Sequence, residues 1–465
     1  VPDLDDAAAL KSLVAAVNEL RAAGQLLAYH DRSDGGLWAA VCEMAFAGRT
    51  GVSLNVDILV TEGDGIADSR AEYGDSKNWA AQVGERRNTL TLKALFAEEL
   101  GAVLQVRREH RDEVVAVLRR HGLARVSHVV GSTNDRGVVE VWRDTKLQFS
   151  APLQQLQQAW DEVSWRIAKE RDHPECADAE HATAGDPADP GLHQHLTFDP
   201  AAAPAAPAVQ GTRPRVAILR EQGVNSQLEM ARVMDLAGLD AHDVHMSDLQ
   251  RGHAKLADFQ GFVACGGFSY GDTLGAGEGW ARSILFNPAL AEAFAAFFAR
   301  RDSFALGVCN GCQMLAALAP LIPGAQDWPR FTRNRSQQFE ARLSLVEVLD
   351  SPSLFFTGMA GSRLPIAVAH GEGFADFSQR GDVAKVLRAM RFVDHQGRPT
   401  EAYPFNPNGS PDGLTAVTTA DGRVTALMPH PERVFRNVQM SWNGGDVSAP
   451  SPWLRLFRNA RRALG

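Results

Sequence analysis

The sequence predicts an α/β protein in two parts: an α/β (α+β) sandwich followed by a doubly wound, mostly parallel sheet. Three observations carry this. Short apolar runs of strand length stand at 215–219, 261–264, 304–308 and 424–428, as buried parallel strands do. Helical stretches lie between them, at 225–237, 279–286 and 288–299. A stretch rich in Ala, Pro, Asp and His over 172–212 has no sustained apolar period, and it separates this region from an earlier alternation of helices and strands. With 465 residues the chain is too long for one core. The expected organisation is a first domain at 1–171, a linker at 172–212 and a second domain at 213–465.

The first domain opens with an amphipathic helix over 5–23, with Leu10, Leu13, Val14, Val17 and Leu20 on one stripe. A short strand at 26–29 runs into His30-Asp-Arg-Ser-Asp-Gly-Gly36 and a helix over 37–46. An acidic, hydroxyl- and glycine-bearing turn at a helix start suits a phosphate or a metal ion; equally, Ser33 or Asp34 would serve as an ordinary N-cap. Val52, Leu54, Val56, Ile58 and Val60 alternate, which predicts a half-buried strand. Residues 61–88 are polar and turn-rich and read as a surface insertion. A helix over 92–100, a strand over 102–106, a helix over 109–121, strands over 126–130 and 138–142 and a long helix over 151–171 complete the domain.

In the second domain the stretch 304–318 reads as strand, turn and helix around Gly307-Val-Cys309-Asn-Gly311. This G-x-C-x-G pattern is the sulfur counterpart of the nucleophile elbow, in which glycines permit a sharp strand-to-helix turn. A cysteine at a helix N-terminus has its thiolate favoured by the dipole. Cys309 and Cys312 also form C-x-x-C, so a redox pair, half of a zinc site or a structural cysteine stand as alternatives. Gly266 and Gly267 follow a strand as a backbone-donor loop does, and with the Asn310 amide they suit an oxyanion hole; a phosphate loop is the alternative, since Gly271, Gly275, Gly277 and Gly279 follow, but no Gly-Lys-Ser/Thr ending appears. The 424–428 strand ends at Pro429-His-Pro-Glu432. Pro431 keeps His430 extended, so His430 and Glu432 project together as base and orienter. Cys309, His430 and Glu432 make a nucleophile, base and orienter set. His370, after the apolar run 366–369, is a rival histidine suited to domain contact or substrate approach. An amphipathic helix over 452–460 closes the chain.

Composition narrows the function. Hydrophobic residues make up 45% and charged residues 22%, as in ordinary globular proteins, and a net charge of −9 argues against a nucleic-acid surface. No apolar run has membrane-spanning length and no signal pattern opens the chain. Five cysteines in so long a chain fit a reducing, cytoplasmic setting. The start at Val1-Pro-Asp3, without Met, fits a processed chain or a fragment of a longer one.

Gly307-Val-Cys-Asn-Gly-Cys-Gln313 together with His430-Pro-Glu432 resembles the class I (triad-type) glutamine amidotransferases. Val263-Ala-Cys-Gly-Gly-Phe-Ser-Tyr-Gly-Asp272, Gly275-Ala-Gly-Glu-Gly-Trp280, Trp328-Pro-Arg-Phe331 and Pro429-His-Pro-Glu-Arg433 resemble the glutaminase domain of the phosphoribosylformylglycinamidine synthase family. His30–Gly36 is similar to a motif of that family's synthetase domain. The resemblance implies an ATP-dependent carbon–nitrogen ligase of purine biosynthesis with glutamine as amido donor. It implies that Cys309 attacks the glutamine amide, that a thioester forms, that His430 handles the protons and that Glu432 orients His430. Gly266, Gly267, Asn310 and Gln313 are expected to form the oxyanion and glutamine pocket. Ammonia is expected to pass internally to a site that converts formylglycinamide ribonucleotide to its amidine with ATP and magnesium; there Asp31 would help hold magnesium and Ser33 would touch nucleotide. The chain resembles the C-terminal part of the family's large single-chain form. The implied partners are these small molecules and the remainder of the synthetase polypeptide, with no nucleic acid and no membrane. Another triad-type amidotransferase, a non-catalytic regulatory module and a redox module through Cys309 and Cys312 are the competing readings.

Overall fold

The computed structural model describes residues 3–4, 6–60, 76–202, 213–445, 447 and 450–465, with 76–84 described by backbone alone. The chain forms two compact units: Val1–Ser164 with Ala184–Pro187, and Trp165–Thr183 with Ala188–Gly465.

The first unit is an α/β arrangement of small sheets. Asp6 caps the helix Ala7–Ala22 by accepting from the amides of Ala8 and Ala9. The strand Leu26–Asp31 pairs antiparallel with Ala102–Val106, with Asp31 opposite Ala102. A second sheet has the order Gly131–Asn134, Gly51–Asn55, Val138–Arg143, Lys146–Pro152. Several expectations shift. The alternating run over 52–60 is a strand only to Asn55, because the Asn55 side chain accepts from Asp57 N at 2.8 Å and turns the chain into a 3₁₀ turn. The strand expected over 126–130 begins at Gly131 instead, after a 3₁₀ turn at Ala124–Val126. Part of the supposed insertion, 61–75, lies outside the described residues; from Ser76 onward the chain is a helix that ends at Phe96.

The stretch expected as an extended linker carries a helix, Pro174–Ala184, begun by a proline at its first turn, where no amide is needed. Cys176 and Ala177 are buried. The Trp165 ring stacks on His181 with centroids 4.4 Å apart. Asp189 meets His395 Nδ1 at 2.7 Å.

The second unit is built on a nine-stranded sheet. Its order is Arg363–His370, Glu340–Val348, Arg388–Phe392, Leu414–Thr418, Val424–Leu427, Phe304–Val308, Gly261–Ala264, Arg215–Arg220, Asp240–His245. Five strands, from Val424–Leu427 to Asp240–His245, are mutually parallel, as expected. The other four join antiparallel, so the sheet is parallel only in the half that holds the nucleophile. Phe304–Val308 is an interior strand, sixth in this order, buried along its whole length. Helices Glu278–Leu285, Pro288–Ala299 and Asn310–Ala317 pack on it with Trp280, Phe294, Phe298 and Leu315 in the core. Among the described residues no helix is long and apolar enough to cross a membrane.

Candidate active site

Three neighbouring parallel strands bring the expected groups to one end of the sheet. Gly307 pairs with Ala264 on one side and Ala426 on the other. The next residues along the three strands lead to Cys265-Gly-Gly267, to Cys309 and to Met428-Pro-His430. A parallel register delivers such segments to the same, carboxyl, edge, where ligands of doubly wound sheets bind.

Cys309 is the N-cap of the helix Asn310–Ala317, at φ 53° and ψ −110°. The strain of the elbow is therefore carried by the cysteine itself. The flanking glycines serve a different need, close approach: a Cβ on Gly311 would collide with Ala264 O, and one on Gly307 would stand 2.5 Å from Gly311 O. A strained residue of this kind costs about 1–3 kcal/mol. Fully buried Leu306, Val308, Met314 and Leu315 flank it, and each contributes about 1.5–3 kcal/mol by burial. The packed strand and helix therefore hold the turn in place.

His430 sits at φ −107° and ψ 89°, outside the extended region expected for it, and donates its backbone N–H to Ala367 O at 2.8 Å. Pro431–Arg433 is a 3₁₀ turn, so Glu432 reaches the imidazole through a tight turn and not along an extended segment. The result is a 2.6 Å bond between His430 Nδ1 and Glu432 Oε1, with the two side chains 1% and 0% exposed. Nδ1 is the donor, and Nε2 is left with no other partner among the described residues.

Burial is the largest influence on the Cys309 thiol and pushes it up. The His430 charge and the neighbouring imidazoles of His370 and His430 outweigh burial and bring it down to about 6. For His430 burial acts downward, and the Glu432 carboxylate and the Cys309 sulfur lift it to about 10. Between these values the pair is thiolate and imidazolium, the reactive form of a cysteine nucleophile. Cys312 differs: it is fully buried, and burial pushes its thiol well above the ordinary range. All five cysteines are free.

A cavity of about 530 Å³ opens over Cys309. Gly267, Gln313 and His430 line it, as expected, and so do His370 and Glu372. The Gly267 amide makes no hydrogen bond among the described residues. The Asn310 amide, in the first turn of its helix, has no intrahelical acceptor. Gly267 lines the cavity, whereas Asn310 is not among its lining residues. Gly266 supports the site from beneath, where a Cβ would stand 2.6 Å from His430 Cε1. The Asn310 side chain is turned to Asp272 Oδ1 at 3.1 Å, and Gln313 Nε2 donates to Glu372 O.

Residue-by-residue reading missed Asp272, Arg333, Arg433, Phe268 and Phe339, all of which line the cavity. Burial, then the negative charge of Glu372, raise the Asp272 carboxyl to about 6, against the Asn310 hydrogen bond. Asp272 and Arg433 sit inside motif strings already singled out; Arg333 and Phe339 carry no local signal.

In the first unit, Asp31 ends its strand with a side chain 70% exposed. The helix Gly36–Gly48 has Gly35 as N-cap with no side-chain cap, so neither Ser33 nor Asp34 acts as the ordinary cap. The Gly35 amide donates to Glu98 Oε1 at 2.9 Å. No group of three or more His, Cys, Asp or Glu able to hold a metal occurs among the described residues.

Residues 213–463 match the family of CobB/CobQ-like glutamine amidotransferase domains. The chain belongs to that family. Residues 1–144 match the C-terminal domain of AIR synthase related proteins. The two matches, in this order, bear out the recognised resemblance: a glutamine amidotransferase of the phosphoribosylformylglycinamidine synthase type, with an α/β fold. Among solved structures, PurLQS from Thermotoga maritima is similar at 23% identity over 54% of this chain and 98% of that chain, with a TM-score of 0.42. A glutamine amidotransferase from the same organism matches at 16% identity over 48% of this chain and 77% of that one, with a TM-score of 0.30. T. maritima PurL complexed with ATP matches at 19% identity over 33% of this chain and 22% of that one, with a TM-score of 0.24.

Proposed function

We propose that Cys309, His430 and Glu432 form a glutaminase that releases ammonia for amidine synthesis. The reading rests on the shared carboxyl edge of three neighbouring parallel strands, with a free backbone amide at Gly267 beside a cysteine whose thiol is brought down to about 6. The Cys309 thiolate attacks the side-chain amide carbon of glutamine. A C–S bond forms, and the carbonyl electron pair moves to oxygen, which the amides of Gly267 and Asn310 stabilise. His430 Nε2 gives its proton to the nitrogen, the C–N bond breaks, and ammonia leaves a thioester. Water then gives a proton to Nε2 and attacks the thioester. The Cys309 thiolate departs, and glutamate is formed. Glu432 keeps Nδ1 protonated throughout, so Nε2 is always the atom that exchanges protons.

The ammonia is consumed at a synthetase site, where ATP activates the amide oxygen of formylglycinamide ribonucleotide and nitrogen replaces it. The first unit contributes part of that site. An exposed carboxylate at Asp31 and a hydroxyl at Ser33 fit a magnesium–nucleotide ligand, because magnesium is commonly held by one or two carboxylates plus phosphates. The remainder of the synthetase polypeptide supplies the other groups. Five unpaired thiols suit the cytoplasm.

Peptide mass spectrometry after treatment with a glutamine-mimicking electrophile tests the glutaminase. The expected result is labelling confined to Cys309 and blocked by excess glutamine. Labelling spread over several cysteines, or absent from Cys309, would sink it.

A further inference from the structure

The reaction described above leaves a second buried imidazole beside the nucleophile unused. His370 is 3% exposed and lines the same cavity as Cys309 and His430. Its position is tightly specified. Asn334 Nδ2 donates to His370 O at 2.8 Å, and Asn334 Oδ1 accepts from Gly373 N at 2.8 Å. Gly373 packs closely on the ring edge, where a Cβ would collide with Nε2 and stand 2.6 Å from Cδ2. His370 Nε2 meets Asn408 Oδ1 at 2.6 Å, and Asn408 is fully buried. Yet Nδ1 is buried without a partner. An unsatisfied buried polar atom costs about 1–3 kcal/mol, so a ring so firmly held calls for an occupant at Nδ1.

The sulfur of Cys309 lines the same cavity. Its own donor contact is a long one, 3.7 Å to the carbonyl of Ala369, the residue just before His370. We propose that His370 is a positioning residue for the nucleophile: Nδ1–H hydrogen-bonds the Cys309 thiolate while Asn408 anchors Nε2. The inference rests on Cys309 being the glutaminase nucleophile. Asn408 can serve Nε2 in either role. Its Nδ2 also lacks a partner, and with the amide turned over it would donate to Nε2 and leave the proton on Nδ1. The thiolate is then held from two sides, by His430 and by His370. The influences on the thiol agree with this: against burial, the His430 charge lowers it most and the His370 imidazole next. The other charged groups lining the cavity are Asp272, Glu372, Arg333 and Arg433, with Glu432 behind His430.

The test is the pH dependence of Cys309 alkylation by iodoacetamide in the full chain, read by peptide mass spectrometry. In His370→Asn the amide nitrogen stands where Nδ1 stood; in His370→Gln it stands where Nε2 stood. The wild-type midpoint is expected near 6. His370→Asn should hold it within about 0.3 unit, whereas His370→Gln should raise it by about one unit, roughly tenfold less thiolate near the midpoint. Glutaminase kcat should fall in His370→Gln with KM within about twofold, because the lost bond acts on sulfur and not on bound substrate. Equal shifts in the two variants, or none, overturn the assignment. Wild-type protein without glutamine-protected labelling would instead count against the glutaminase itself. Should both variants lose their circular dichroism, nitrogen-15 NMR of the wild type decides: alkylating Cys309 must move the His370 Nδ1 resonance, and an unmoved signal overturns the proposal.

Discussion

Two motif-bearing strand ends in this molecule are buried to opposite degrees. Asp31 closes one strand of a two-stranded sheet with its side chain 70% exposed. Cys309 closes an interior strand of a nine-stranded sheet, with Cys309, His430 and Glu432 at 5%, 1% and 0%. The difference follows from how each unit builds its core. The larger unit has one continuous apolar cluster running from Val216 to Ala460. In the smaller unit the described residues form three small clusters, and Leu27 and Tyr29 of the Asp31 strand are about half exposed. Charges act strongly on each other only where water is kept away. The buried strand end can therefore set its own protonation states, whereas water screens the charge at the exposed one.

The largest effect expected from this contrast is on Cys309. Cys309→Ala should lower ammonia release from glutamine by about four orders of magnitude or more, as loss of a nucleophile does. Cys312→Ser, three residues on, should cost less than about tenfold, because its thiol is buried and held protonated. Equal losses in the two variants would turn the site into a redox pair and remove the contrast.

The next effect concerns protonation. Wild-type activity should rise as pH passes upward through about 6, where Cys309 becomes thiolate, and fall as pH passes about 10, where His430 loses its acid proton. Glu432 is the leading force that raises His430. Glu432→Gln should therefore draw the upper limb down towards the ordinary histidine range and raise the lower limb, because the imidazolium no longer favours the thiolate as strongly. The maximum should fall by about 10²- to 10⁴-fold, the range for a base left in the wrong tautomer. An unchanged pH profile would mean that the buried carboxylate does not control the imidazole.

The same contrast explains what the sequence makes legible. Cys309, His430 and Glu432 are readable because each lies within a few residues of a buried parallel strand, so local pattern and tertiary position coincide. The 304–308 and 261–264 strands appear with the expected bounds. The antiparallel half of the sheet escapes a local reading, because Glu340–Val348 carries no clean alternation: Ser344, Leu345 and Val346 are buried in a row. The helix Pro174–Ala184 is hidden by a composition of Ala, Asp and His that resembles a linker; its order comes from burying Cys176 and Ala177. The place of His370 is illegible for a topological reason. Its strand is four places from Val424–Leu427 in the sheet order, yet Ala367 accepts from His430 N. Local periodicity carries no record of such a return.

The smallest effects test the two units with one kind of substitution. Gly266→Ala adds a Cβ 2.6 Å from His430 Cε1 and 3.2 Å from Cys309 Cβ. The ring must move, and a displacement of about 1 Å in a catalytic group costs about 10²-fold in rate. Gly122 follows the helix Arg111–Arg120 at φ 76°, with nothing within 4 Å of an added Cβ. Gly122→Ala meets no neighbour and adds only left-handed strain, about 1 kcal/mol of stability. Glutaminase assays and thermal melts on the two variants should separate cleanly. Gly266→Ala should lose rate with little change in melting, and Gly122→Ala should lower the melting temperature and leave ammonia release intact. If Gly266→Ala kept full activity, the imidazole would have room that this packing denies it, and the close fit of the loop under His430 would no longer explain why that position has no side chain.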